Sequence, residues 1–383
     1  MKLGIITNYN QNTVNFGNVL QTYALNYYLT INYPKINVET VLLHDDFNIG
    51  KVKTSYLVAL VRKIVNIFNP KKVEAPKHIN KNRKKKFLRF AEDNIVLSQE
   101  VFDESELNNV YDILVVGSDV VWSQIRNNYN RVKFLCFKGS EKAIKFSYAA
   151  SFGRNYIPWE NRCAIKKALK NFEGIGVREN TAVNLLKRIG VDNAVHVLDP
   201  TFLLDAKAWT ELERIPQNDF FKETGNYIFC FMLNPQEWQI EFMKRIKKYY
   251  GYKCVCVSNG YAVDANSKND VYDLFLEEIG PDQWLWIIHH AQYIITDSFH
   301  CLAFSNIYNV PFYVLERDYS SDINDRMKDF LQLTHNEDKF IYRDNVQKVD
   351  FESDLWDYVT INKLIEEKII FSKAYIDSIL NTN

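Results

Sequence analysis

The chain has 383 residues, too many for one compact core of ordinary size, so we expect two domains. Hydrophobic residues make up 47% and charged residues 25%, a balance typical of globular proteins that excludes wholesale disorder. The formal net charge is zero, and no run of about 18 uncharged apolar residues occurs, so we expect no membrane-spanning helix.

In chain order, the first half reads as alternating strands and helices. Apolar runs of strand length are separated by polar loops and by segments with helical spacing. The predicted strands are 3–7, 111–116, 146–150, 174–178 and 194–198, and the predicted helices include 19–25 and 181–188. The sequence therefore predicts an α/β domain with a parallel sheet over residues 1–205, with a basic insert at about 50–90.

The second half repeats this alternation. The predicted strands are 227–232, 252–257, 293–296 and 310–315, and the predicted helices are 238–249, 284–291 and 299–307. They predict a second α/β domain over residues 206–350, followed by residues 351–383, whose helix (362–380) packs back on the first domain. Open parallel sheets bind ligands at the carboxyl ends of their strands, so we expect the functional site in a cleft between the two domains.

Short motifs along the chain resemble those of the polysaccharide pyruvyl transferase family. They are NFGN at 15–18, GSDVVW at 117–122, YAASFG at 148–153, GVRE at 176–179, LDPTFLL at 198–204, GP at 280–281 and TDSFH at 296–300. The resemblance implies two Rossmann-like domains that face each other across a cleft, in a GT-B-like arrangement. It also implies transfer of enolpyruvate from phosphoenolpyruvate to two hydroxyls of a surface-glycan sugar, often lipid-linked, with formation of a pyruvate ketal and release of phosphate.

His300 and Asp297 are the predicted catalytic residues. The family's site histidine falls on His300, and an imidazole suits proton transfer in both directions near neutral pH because its reference pKa is about 6.5. Asp297 is expected to orient that ring or to accept a proton. Taken alone, a histidine in this position would more often be an interior packing residue.

The donor carries a carboxylate and a phosphate, so its pocket needs positive charge and N–H donors. Helix amino termini supply N–H groups, and we expect Ser298 at one such end and Gly17 with Asn18 at another. Arg178 follows a strand and matches a family arginine, so we expect it to bind the donor. Some family members have arginine where this chain has Ser298. The alternatives are that Ser298 only caps its helix and that Arg178 only pairs with Glu179.

Asp119 and Trp122 are the predicted acceptor-binding residues, because both follow a strand that ends at the expected cleft. The alternative for Asp119 is a turn aspartate that caps a helix. Arg317 and Arg326 follow a strand of the second domain, and we expect both on the surface; the alternative is that they reach the cleft.

No metal-ligand spacing stands out, so we expect no metal and no cofactor, with phosphoenolpyruvate as co-substrate. His289 and His290 lie in an apolar helical context and are expected to pack or to face solvent. The six cysteines form no CxxC pair, which favours buried, reduced thiols in a cytoplasmic protein.

The basic insert has 13 Lys/Arg and one acidic residue between Lys51 and Arg89. Within it, residues 56–68 are a short apolar helix candidate flanked by lysines. We predict a peripheral contact of residues 51–89 with the inner face of an anionic membrane, where a lipid-linked acceptor would lie. The alternative is a helical insert whose charges are only solvated. No nucleic-acid recognition motif accompanies the charge, so we expect no nucleic acid partner.

Two other functions fit the same fold. A glycosyltransferase that uses a nucleotide sugar would have a similar cleft, but the second domain lacks a glycine-rich phosphate loop and has only the GP pair at 280–281. A catalytically silent glycan-binding homologue would also keep the fold, although the presence of His300 argues against it.

Overall fold

Two parallel sheets organise the molecule. The computed structural model describes residues 1–48, 80–123, 131–223, 225–260, 269–317, 321–352 and 355–381. The strands of the first sheet are β1 (Lys2–Ile6), β2 (Asn37–Asn48), β3 (Leu97–Asp103), β4 (Ile113–Val116), β5 (Ile144–Ala150), β6 (Gly174–Val177) and β7 (Ala194–His196). Across the sheet, the described strands follow the order β3-β2-β1-β4-β5-β6-β7.

The second sheet has the same parallel character. Its described strands are β8 (Tyr227–Phe231), β9 (Lys253–Val257), β10 (Leu274–Leu276), β11 (Tyr293–Thr296), β12 (Phe312–Leu315) and β13 (Phe340–Ile341). They follow the order β10-β9-β8-β11-β12-β13. The central strands are buried on both faces, which explains why they read as nearly continuous apolar runs in the sequence.

Helices cover both sheets. In chain order they are α1 (Phe16–Asn32), α2 (Lys81–Asn94), α3 (Arg162–Leu169), α4 (Asn180–Arg188), α5 (Ala206–Leu212), α6 (Phe220–Glu223), α7 (Glu237–Tyr250), α8 (Pro281–His289), α9 (Phe299–Ile307), α10 (Ser321–Leu333) and α11 (Tyr358–Leu380). In each sheet the chain order reverses at one strand pair, β1/β4 in the first and β8/β11 in the second. Ligands of open parallel sheets bind beside such reversals, at the carboxyl ends of the strands.

The last helix, α11, packs against the first sheet. The Tyr375 hydroxyl donates to the carbonyl of Ser147 in β5 at 2.8 Å, and the Leu198 N–H donates to Ser372 Oγ at 3.0 Å. The chain therefore crosses to the second half after β7 and returns to the first half at its carboxyl end.

Aromatic stacking and one buried arginine join the two halves. The rings of Phe16 and Trp284 stack with centroids 5.0 Å apart and planes 8° apart. Arg83 of α2 is 1% exposed and donates to Ser258 O at 2.5 Å and to Val14 O at 3.0 Å. Because Val14 and Ser258 belong to different halves, Arg83 holds the walls of the cleft together.

The structure describes the basic segment only from Asn80 onward. Lys86 of α2 donates to the Glu278 carbonyl at 2.6 Å and to Gln283 Oε1 at 2.8 Å. This basic residue therefore stabilises the contact between the two halves. The apolar candidate at 56–68 lies outside the described residues, and the membrane contact stays a prediction. Within the described ranges, none of the helices combines the length and hydrophobicity needed to cross a bilayer.

The cysteines follow the expected pattern with one exception. The buried thiols are Cys230, Cys254, Cys256 and Cys301, and Cys136 is partly buried. Cys163 is exposed on α3, which differs from the expectation of buried thiols.

Candidate active site

A cavity of about 240 Å³ lies between the halves, at the carboxyl ends of β1 and β4 on one side and of β8, β11 and β12 on the other. Phe16, Phe231 and Trp284 give it an aromatic wall, while His300 and Arg326 contribute polar groups. A larger groove of about 820 Å³ runs beside α2, but none of the predicted site residues lines it. The smaller cavity is therefore the candidate active site.

His300 lies in the first turn of α9 and is 8% exposed at the wall of this cavity. Gly17 lies directly against its ring, since a Cβ built at position 17 would be 2.0 Å from Nδ1. The ring can occupy this place only because residue 17 has no side chain. The other ring nitrogen, Nε2, lies 3.6 Å from Oδ2 of Asp199.

Asp199 is the carboxylate beside His300, and the sequence reasoning did not assign it to the site. It follows β7, and its Oδ1 accepts from the N–H and the hydroxyl of Thr201 at 3.1 and 3.0 Å. Burial would raise the pKa of this carboxyl, but the charges of His300 and Arg178 outweigh burial and hold the pKa well below its usual range. Asp199 is therefore ionised at neutral pH. The sequence signal that could have identified Asp199 is its position directly after the predicted strand 194–198, the same criterion that was used for Asp119 and Trp122.

Arg178 holds three carboxylates in place. Its guanidinium lies 3.1 Å from Asp199 Oδ2, 3.1 Å from Glu179 Oε1 and 3.4 Å from Asp119 Oδ1. Its flat face lies over the Phe299 ring at 4.7 Å. The alternative, an ion pair with Glu179 only, therefore accounts for one of these three contacts. These carboxylates already compensate most of the positive charge of Arg178, so its main role in this structure is to hold the acidic side chains around His300.

Arg317 and Arg326 line the cavity, and the expectation that both lie on the surface is wrong. Arg317 is 4% exposed, and its Nε lies 3.1 Å from Oδ2 of Asp297. Arg326 of α10 forms no ion pair or hydrogen bond with the described residues, and its Nε is buried. Burial, and then the charges of Arg178 and Arg317, lower the pKa of Arg326 to about 10. The charges of Asp119 and Glu179 act on Arg326 in the opposite direction, but neither carboxylate forms an ion pair with it, so the cavity contains a cation with no ion pair among the described residues.

Asp297 was predicted to orient His300 or to accept a proton, but its carboxylate contacts other groups. Its Oδ1 accepts from the Leu233 N–H at 3.0 Å, and its Oδ2 faces Arg317. Burial raises the pKa of Asp297, although Arg317 opposes that effect. Asp199, whose Oδ2 lies 3.6 Å from Nε2, is therefore the carboxylate beside the His300 ring, rather than Asp297.

Ser298 and Gly17 both line the cavity, whereas Asn18 does not. Ser298 precedes α9, but its side chain makes no capping hydrogen bond, so the alternative of a simple N-cap lacks support. Asn18 is 6% exposed in the first turn of α1, where its N–H donates to Asn15 Oδ1 at 3.1 Å. Its donor-binding prediction is not supported by its position.

Asp119 lines the cavity at the end of β4 with a positive φ of 69°. Residues 120–123 do not form a helix, so Asp119 caps none there. Burial would raise the pKa of its carboxyl, but the charges of Arg178 and His300 outweigh burial and lower it. Asp119 therefore presents an ionised carboxylate beside His300.

Trp122 is a core residue, and its predicted place in the acceptor pocket is wrong. It is 1% exposed and lies between Phe134 and Phe152, with ring centroids 5.2 and 5.1 Å away. Its indole N–H donates to the Lys133 carbonyl at 2.9 Å. A tryptophan after a strand end resembles a ligand-binding residue in sequence, but here it fills the space under the turn.

Comparison with known protein families gives a match whose range includes the strand-end motifs of this chain. The family described as "Polysaccharide pyruvyl transferase" matches residues 15–319, more than half of the chain. The matched range includes the cavity residues from Asn15 to Arg317, while Arg326 lies beyond it. No curated protein sequence matches the chain.

Solved structures support the fold. The UDP-GlcNAc 2-epimerase of Methanocaldococcus jannaschii, in complex with UDP-GlcNAc and UDP, is 16% identical; the alignment covers 98% of this chain and 100% of that chain, with a TM-score of 0.51. The co-structure of S. aureus MnaA with UDP is 12% identical, with coverage of 99% and 97% and a TM-score of 0.52. Such likeness shows the fold alone, and it confirms two Rossmann-like domains facing across a cleft in a GT-B-like arrangement.

Proposed function

The chain belongs to the polysaccharide pyruvyl transferase family, and we propose that it transfers enolpyruvate from phosphoenolpyruvate to two hydroxyls of one glycan sugar. The product is a cyclic pyruvate ketal, and phosphate is released. The observation that carries this proposal is the pairing of His300 with Asp199 at 3.6 Å in a cavity that is also lined by Arg326, a cation with no ion pair among the described residues.

Phosphoenolpyruvate carries a carboxylate and a phosphate, which the guanidinium groups that line the cavity can bind. Arg326 offers a guanidinium that forms no ion pair or hydrogen bond with the described residues, and Trp284 offers a buried indole N–H with no acceptor among them. Guanidinium groups bind carboxylates and phosphates through paired N–H donors. We assign the donor to Arg326 and Trp284, with Ser298 and the Gly17 backbone closing the same space. Arg178 acts behind them by fixing the carboxylates.

His300 moves the protons. The reaction forms two C–O bonds at the donor's C2, breaks the C2–O bond to phosphate and adds one hydrogen to the methylene carbon. One hydroxyl proton ends on that carbon and the other leaves with phosphate, so no external acid or oxidant is consumed. The neutral His300 ring takes a hydroxyl proton and returns it to the methylene carbon.

Asp199 supports this cycle without leaving its ionised form. Its negative charge stabilises the imidazolium that exists between the two transfers, and its bonds to Thr201 fix its direction. On the acceptor side, Asp119 accepts a hydrogen bond from a sugar hydroxyl. The sugar belongs to a surface glycan. If that glycan is carried on a lipid, contact of residues 51–89 with the inner face of the membrane would bring the active site to it.

The test compares two classes of donor on the purified protein. Phosphoenolpyruvate is expected to raise Tm by mass action and, with a panel of oligosaccharide acceptors, to yield free phosphate and a pyruvate ketal detectable by mass spectrometry. A rise in Tm with UDP, and none with phosphoenolpyruvate, would identify a nucleotide-sugar enzyme instead. Binding of phosphoenolpyruvate without turnover on any acceptor would favour a silent homologue.

A further inference from the structure

A second polar cluster lies at the far end of α8 from the cavity. Glu213 caps α5, while His289 ends α8 and His290 follows it. One ligand atom from each of the three residues, a ring nitrogen or a carboxylate oxygen, lies within 4.8 Å of the other two. Trp284, near the start of α8, lines the cavity. Glu213, His289 and His290 do not line the cavity, so the cluster is separate from the proposed reaction.

The two imidazole rings are held in fixed orientations. His290 Nδ1 lies 2.9 Å from the Trp286 carbonyl, which can only accept, so this nitrogen carries the proton and Nε2 keeps a lone pair. The ring also stacks on Trp286 with centroids 4.2 Å apart. His289 stacks on Tyr308 at 4.3 Å with planes 10° apart. Metal-binding histidines typically have such outer partners, which fix the tautomer and the ring direction.

The charge of the cluster also favours a cation. The Glu213 side chain is 5% exposed, and His289 Nδ1 lies 2.8 Å from its Oε1. No Lys or Arg among the described residues forms an ion pair with this carboxylate. The carboxyl end of α8 adds partial negative charge from its last carbonyl groups. A buried carboxylate beside a helix end of the same sign is stabilised by a positive charge.

We propose that Glu213, His289 and His290 bind one divalent transition-metal ion, with Zn²⁺ as the best-fitting ion. Two nitrogens and one oxygen are ligands that Zn²⁺ accepts, and His290 is exposed, which leaves room for water as the fourth ligand. With metal–ligand bonds of about 2.0–2.1 Å, tetrahedral ligands lie about 3.4 Å apart. The observed 2.8 Å contact between His289 Nδ1 and Glu213 Oε1 is shorter than that spacing, so a bound ion would replace this hydrogen bond.

The bound ion would join the end of α5 to the end of α8. Glu213 and His289 are 76 residues apart in the chain, so a shared metal ties the start of the second half to the helix that carries Trp284. The site is a structural clamp outside the cavity, and it takes no part in the transfer reaction.

Metal binding is tested on the full chain with Zn²⁺ alone, by competition with a chromophoric chelator, and with Co²⁺ by visible absorption. The wild type is expected to bind one ion per chain and to give the intense absorption of four-coordinate Co²⁺. His290→Ala removes an exposed ligand without opening the core, and it should weaken Zn²⁺ binding about tenfold or more. Glu213→Gln should have a similar effect. His335→Asn is the matched control, because His335 is also exposed and asparagine tolerates its positive φ.

The comparison between variants decides the outcome. Tm measured without metal checks that His290→Ala is folded like the wild type. Equal Zn²⁺ affinity in the wild type, His290→Ala and Glu213→Gln would overturn the proposal, as would a wild type that binds no Zn²⁺ at all. Because phosphoenolpyruvate turnover does not pass through this site, failure here leaves the proposed function untouched.

Discussion

His300 Nε2 lies 3.6 Å from Oδ2 of Asp199, and the same oxygen lies 3.1 Å from Nη1 of Arg178. Asp199 therefore stands between an imidazole and a guanidinium that come from different halves of the molecule. The arrangement gives the ring a fixed anionic partner on one edge and leaves the other edge beside Gly17.

Gly17→Ala is expected to lower turnover about 100-fold while the protein stays folded. Alanine is a better helix former than glycine, but its Cβ would meet His300 Nδ1 at 2.0 Å and displace the ring. Gly225→Ala is the control, because no described atom lies within 4 Å of a Cβ there. Steady-state phosphate release measures both variants. Equal turnover of Gly17→Ala and wild type would mean that the ring position does not matter.

Arg326→Gln is expected to remove the stabilisation that inorganic phosphate or phosphoenolpyruvate gives, without lowering Tm in their absence. Burial and the charges of Arg178 and Arg317 outweigh the attraction of Asp119 and Glu179, and Arg326 forms no ion pair with any residue that the structure describes, so its charge costs stability until an anion binds. A purely structural arginine would instead lower Tm when removed. Thermal melts with and without each anion distinguish the two roles, and Arg188→Gln, on the exposed end of α4, is the control. An unchanged response to both anions in Arg326→Gln would exclude it from the donor site.

His196 is expected to make stability depend on pH between about 6.5 and about 4. Burial, and then the charge of Lys368, lower its pKa to about 4, while an unfolded histidine has a pKa of about 6.5. In that window the unfolded chain binds more protons, so the free energy of unfolding falls as pH falls. Urea unfolding of His196→Gln across this range should show a shallower slope than wild type, and His335→Asn should not. Parallel slopes for all three proteins would show that His196 is not held neutral by the fold.

The sequence predicts the fold and part of the site because both depend on local patterns. Apolar runs separated by helical spacing predict β11 and α9, whose observed bounds agree with the prediction. Parallel strands bring their carboxyl ends to one edge, so Asp119 could be assigned to the cleft from its position, whereas His300 also needed the family resemblance. The long strand β2 precedes the basic insert and β3 follows it, and neither is among the strands predicted from the sequence.

The pairing of side chains depends on tertiary contacts that the sequence does not show. Asp297 is nearer to His300 in the chain, but its carboxylate is taken by Leu233 and Arg317. Asp199 meets the ring only because the first half faces the second. Arg326 lies on a helix, and which face of α10 meets the cavity is set by packing against the first half.

Trp122→Ala is expected to lower the free energy of unfolding by about 3–5 kcal/mol, the usual cost of removing a large buried aromatic side chain. The indole is 1% exposed and packs on Phe134 and Phe152. Urea unfolding measures the loss, and the KM for the acceptor shows whether the residue also touches substrate. A variant of near wild-type stability with a raised acceptor KM would restore Trp122 to the acceptor site.

The most direct test of the proposed proton transfer is the rate of single-turnover phosphate release from phosphoenolpyruvate in a double-mutant cycle of His300→Gln and Asp199→Asn. Positioned proton transfer is worth about 10²–10⁴-fold, so His300→Gln should lose that much in rate while donor binding remains. Asp199 acts through the ring, so adding Asp199→Asn to His300→Gln should cost little more than His300→Gln alone. Full turnover by His300→Gln, or losses that multiply in the double variant, would contradict the account.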